Sequence, residues 1–80
     1  MERKTRRTLC DLKIGESGHV YAVDAADARM RRHIVDMGIT PGTEIRVVKS
    51  APMGDPIEIA LRGYSMSLRK ADAGAILLME

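Results

Sequence analysis

Apolar and polar residues alternate with period two over most of this chain and switch once to a helical period. After the turn at Gly15-Glu16-Ser17-Gly18, the run His19-Val20-Tyr21-Ala22-Val23 favours extended backbone and predicts a first strand. Beyond it Met30, Ile34 and Met37 recur at i, i+4 and i+7. Asp24 and Asp27 stand ahead of them as N-cap carboxylates, so one short helix is predicted from about Ala28 to Met37. Gly38 falls where a left-handed residue stops a helix, and Thr40-Pro41-Gly42-Thr43 carries Pro and Gly at the middle positions of a type II turn.

The period then returns to two. Ile45 and Val47 alternate with Glu44, Arg46 and Val48; Ile57, Ile59 and Leu61 alternate with Glu58, Ala60 and Arg62; Tyr64, Met66 and Leu68 alternate with Ser65, Ser67 and Arg69. Two prolines and a glycine in Pro52-Met53-Gly54-Asp55-Pro56 exclude a central strand there and predict a loop. Arg62-Gly63 reads as a tight hairpin turn. Lys70 to Gly74 reads as a single helical turn or bend, and Ala75 to Met79 as a closing strand buried on both faces. Five short strands, one inserted helix and short connections predict a mainly β protein: a small closed or nearly closed barrel, since a flat sheet of this size would leave two pairing edges and an apolar face open. An open α+β sheet is the alternative.

Composition narrows the function classes. Eighty residues, 45% hydrophobic and 30% charged, make one globular domain too small to enclose a deep cleft, which disfavours an enzyme. With no Trp or Phe, Tyr21 and Tyr64 are the sole aromatics, a poor basis for stacking single-stranded nucleic acid. A single cysteine, Cys10, excludes an intrachain disulfide framework and suits a reducing, cytosolic setting. No apolar h-region follows the basic start, and the longest apolar run, Ala75 to Met79, is far short of the roughly 20 residues a membrane helix needs. Membrane association is therefore expected only through a partner.

The formal net charge of +2 is unevenly placed. Arg3, Lys4, Arg6 and Arg7 lie in the first seven residues against Glu2, and without that segment nine basic residues face ten acidic ones. The expected organisation is a flexible basic tail over residues 1–7 and a single domain over residues 8–80. Such a tail can touch phosphate with little geometric demand, which makes a small-barrel nucleic-acid binder the alternative function.

Catalytic and metal chemistry find little support. Cys10 is followed by Asp11 and lies far in sequence from His19 and His33, and both histidines suit solvated positions. No CxxC, HExxH or GxxxxGK[ST] pattern is present, so no catalytic residue, metal ligand or cofactor is assigned. An Fe(II) carrier or sensor built on Cys10, His19 and His33 ranks third. The chain reads as a binding module. Met53, at the tip of the Pro-flanked loop, has no periodic reason to be buried; it either offers an adaptable thioether contact or folds back over the barrel mouth. Met53, Gly54 and Asp55 are the candidate partner-binding residues, with Arg29 and Arg32 on the helix as a secondary contact for an acidic partner.

The string Met37-Gly38-Ile39-Thr40-Pro41-Gly42-Thr43-Glu44-Ile45, then Ala51-Pro52-Met53-Gly54-Asp55-Pro56, then Ser67-Leu68-Arg69-Lys70-Ala71, resembles the FeoA family of bacterial ferrous iron transport. The resemblance extends from Leu9-Cys10-Asp11-Leu12 to Ile76 and Leu78 and covers all but the tail. It implies an SH3-like barrel with one inserted helix. It also implies a cytosolic accessory role, docked on the inner face of the membrane on FeoB, a transporter with a GTP-binding domain. Met37, Gly38, Pro41 and Gly42 match the family's turn, and Pro52 to Pro56 its loop; His33-Ile34 departs from the Leu often found in the family's helix. A related barrel ends some iron-dependent repressors, whose DNA-reading helices do not precede this sequence, so a free-standing accessory protein is the expectation.

Overall fold

Each period-two segment forms a strand, and the single helical segment forms a helix. The computed structural model describes residues 7–79. In chain order the elements are β1 (Ser17–Val23), α1 (Ala28–Asp36), β2 (Glu44–Ser50), β3 (Ile57–Leu61), β4 (Tyr64–Leu68), α2 (Lys70–Ala73) and β5 (Ile76–Leu78). A 3₁₀ turn at Leu9–Asp11, which periodicity does not predict, precedes them. Thr8 and Asp11 hold that turn reciprocally: the Thr8 hydroxyl accepts from the Cys10 backbone N–H at 3.2 Å, and Asp11 accepts from the Thr8 N–H at 2.8 Å. Of the basic segment expected to form a tail, residues 1–6 lie outside the described residues. Arg7 lies within them, its carbonyl accepting the Leu78 N–H at 2.9 Å.

The five strands form one antiparallel sheet in the order β4-β3-β2-β1-β5, and the sheet does not close. The expected five-stranded barrel is thus corrected to an open sheet with two short helices: β4 and β5 form no ladder with each other. The two edges differ in what they meet. On the β4 side, Tyr64 at the start of the strand bonds the Met37 carbonyl at the end of α1, while Arg69 just beyond β4 shares a cleft with Arg29 and Met30 near the start of α1. On the other side Thr8 bridges Leu77 of β5. A short extended segment thereby pairs with the β5 edge that closure would have removed.

The long strand β1 serves both halves of the sheet. Its first residues pair with β2, from Ser17 opposite Arg46 to His19 opposite Glu44, and from Val20 onward it pairs with β5. The type II turn is threaded through the handover: the Gly42 N–H donates to the Val20 carbonyl at 2.7 Å, and the Val20 N–H to the Thr43 carbonyl at 2.9 Å. A bulge at Val48 shifts the β2–β3 register, so Lys49 stands opposite Glu58.

The core is aliphatic. Leu9, Val20, Ile34, Ile39, Ile45, Ile59 and Ile76 are wholly buried, with Met30 and Met37 packed against them from α1. Burying each such side chain contributes about 1.5–3 kcal/mol before conformational entropy is counted. Asp27 caps α1 by accepting the Arg29 N–H at 3.0 Å, and the helix ends at Asp36, one residue short of the expected Met37. Burial in β5 alternates slightly, with Leu77 less enclosed than Ile76 and Leu78.

Candidate functional site

The Pro52–Pro56 loop is ordered by backbone bonds to its own ends. The Ala51 N–H donates to the Pro56 carbonyl at 3.0 Å, and the Gly54 N–H to the Ala51 carbonyl at 2.7 Å. Gly54 takes φ +84°, a conformation open to glycine at no steric cost. Asp55 fastens the loop to the rest of the fold: its Oδ1 accepts the Lys70 backbone N–H at 3.0 Å. The result is a stiffened loop that carries Met53 at 89% exposure, the most exposed large apolar side chain among the described residues. The side chain does not fold back over the sheet.

Two clefts flank this loop. One, of about 330 Å³, is lined by Pro52 and Pro56 with Lys49 and Glu58 of the neighbouring strands. The other, of about 340 Å³, lies between Gly54 and the N-terminal 3₁₀ turn and includes Cys10, Ile14 and Lys70. Sequence reasoning missed this second groove, because Leu9 to Ile14 carries no periodic signal that would place it beside the loop. The 61% exposure of Ile14 marks its outer wall.

Arg29 and Arg32 do not share an environment. Arg29 lines a third cleft, of about 420 Å³, with Met30, His33, Arg69 and Asp72. Arg32 is exposed and does not line that cleft. The loop and the start of α1 thus approach the Arg69-Lys70 dipeptide from two sides, Asp55 at Lys70 and Arg29 at Arg69. At the opposite end of α1 a further polar cluster forms. Thr43, buried to 6% exposure, shares its hydroxyl with Arg62 at 3.1 Å and Thr40 at 3.2 Å.

Cys10, His19 and His33 do not converge. The exposed Cys10 thiol donates to the Lys70 carbonyl at 3.4 Å. Among the described residues no group of three or more His, Cys, Asp or Glu side chains is placed to hold a metal ion. No helix there is long and apolar enough to cross a membrane.

An open sheet with a hydrogen-bonded, Met-tipped loop and flanking grooves defines a small domain whose clefts lie at its surface. The FeoA domain profile matches residues 7–79, and the chain belongs to the FeoA family. An FeoA-like protein from Clostridium acetobutylicum has the same fold, with TM-score 0.85 and 43% identity over 96% of this chain and 88% of that one. FeoA from Chlorobium tepidum aligns with TM-score 0.78 and 33% identity, covering 92% of this chain and 71% of that chain. A fusion of Fe(2+) transport protein A with the Fe(2+) transporter FeoB from Porphyromonas gingivalis is 34% identical over 68 residues, 85% of this chain. The chain spans 8% of that fusion's length.

Proposed function

We propose that this protein is a cytosolic, non-catalytic accessory of bacterial ferrous iron uptake that docks on the cytosolic part of an FeoB-type transporter. The observation that carries the reading is the Porphyromonas gingivalis fusion, which joins an FeoA-like stretch to FeoB in one polypeptide. A covalent link raises the effective concentration of two modules that act together, so a separate chain of the same family has to supply the contact by affinity. The Met53 loop is the surface proposed for that contact, with Gly54 and Asp55 setting its shape. Arg29 and Arg32 on α1 are proposed as a secondary contact for acidic residues of the transporter. Recruitment to the inner face of the membrane follows from the docking and needs no membrane-spanning segment.

The test is co-purification of the tagged chain with detergent-solubilised FeoB at near-physiological salt, with the nucleotide state varied. Retention in at least one nucleotide state that survives deletion of residues 1–7 is the expected result. Absence of binding in every state would remove the docking role and leave only the family fold.

A further inference from the structure

We infer that the groove between the 3₁₀ turn and the Met53 loop receives an apolar side chain of a partner segment whose flanking residues are carboxylates. The inference deepens the docking reading and rests on it for the existence of a partner; the occupant's chemistry rests on the groove itself. Its floor is the outer surface of the core, formed by Leu9, Leu12 and Val47, none more than 8% exposed, with half-buried Ile57 beside them. At about 340 Å³ it lies at the lower end of the roughly 300–1,000 Å³ typical of ligand pockets. That is room for one or two side chains. Ile14 stands at its wall with most of its surface in water, which a docked apolar group would remove.

Charge sets what may flank that group. Lys13 and Lys70 line the groove, both are exposed, and neither takes part in an ion pair among the described residues. Among the described residues no carboxylate lines the groove: Glu16 accepts the Lys13 N–H at 2.7 Å and Asp55 the Lys70 N–H at 3.0 Å, both from outside its lining. Two lysines and no carboxylate in the lining of an apolar groove select an acidic–apolar–acidic segment.

The probe is the peptide acetyl-Glu-Leu-Leu-Glu-amide, titrated into the ¹⁵N-labelled full chain at low salt. Amide shifts centred on Cys10, Ile14, Gly54 and Lys70 are expected. Alkylation of Cys10, the sole cysteine, by iodoacetamide should slow as the peptide binds. In a K13E/K70E variant that keeps its dispersed spectrum, affinity for this peptide should fall about tenfold while the Lys-Leu-Leu-Lys twin gains. Shifts centred elsewhere, or none at about 10 mM peptide, overturn the proposal, as does equal binding of the Gln-Leu-Leu-Gln twin. Concentration-dependent shifts at the same residues without peptide would make a second copy the occupant and overturn it equally. Co-purification with FeoB that persists in K13E/K70E would discard the groove and leave the docking reading standing.

Discussion

The carboxylate of Asp55 accepts the backbone N–H of Lys70 at 3.0 Å, so a residue fifteen positions upstream caps a helix whose own N-cap, Arg69, makes no side-chain cap bond. Asp55 therefore has a structural role that any loss-of-binding experiment must separate from partner contact. Replacing it with Ala removes the acceptor and should cost about 0.5–2 kcal/mol, whereas Asn, which keeps an acceptor oxygen, should cost much less. Urea unfolding of the two variants checks this; equal midpoints for D55A and wild type would remove the capping role.

Met53 offers the cleaner test of docking. At 89% exposure it contributes little packing, so Met53→Ser should leave stability within about 0.5 kcal/mol. Binding to FeoB should weaken about tenfold or more if the thioether is a contact centre. A variant with wild-type urea midpoint and wild-type co-purification would move the docking surface away from the loop.

The elements that sequence reveals are those made by near neighbours. Period-two runs gave the strands, Asp27 and Gly38 bracketed the helix, and Thr40 to Thr43 formed the turn its Pro-Gly pair demands, with the Thr43 N–H donating to the Thr40 carbonyl at 3.0 Å. Closure was not legible, since it depends on what lies beside β4 and β5. Thr8 takes the place beside β5, and no local pattern in Tyr64 to Leu68 marks β4 as the other edge. The site divides in the same way. Met53 is readable because it breaks a pattern, while the groove is built from Leu9, Val47 and Ile57, which meet only in three dimensions.

Ile34 is the wholly buried residue of α1 and fixes the helix over the sheet. Truncation to Ala should cost about 2–5 kcal/mol, a large part of the about 5–15 kcal/mol available to a domain. Loosening α1 also exposes the core beneath it, so the variant should exchange its α1 amides faster. The cross-strand ion pair of Lys49 and Glu58, at 3.8 Å with Lys49 71% exposed, provides the contrast. Lys49→Ala should change stability by less than about 1 kcal/mol.

Gly38 and Gly42 adopt nearly the same backbone, φ +93° and +91°, but differ in what a side chain would meet. A Cβ on Gly42 has nothing within 4 Å, so Gly42→Ala incurs only the left-handed strain of about 1–2 kcal/mol. On Gly38 the Cβ would lie 3.1 Å from the Tyr64 hydroxyl, which donates to the Met37 carbonyl at 2.8 Å. The tyrosine has to move, and the hydrogen bond that ties β4 to the end of α1 is lost with it. Gly38→Ala should therefore exceed Gly42→Ala by about 0.5–1.5 kcal/mol. In a Tyr64→Phe background both the clash and the bond are already gone, and the two glycine substitutions should then cost the same. A difference that survives in Tyr64→Phe would place the extra cost elsewhere, at the Arg62 side chain that also lies within 4 Å of the Gly38 position.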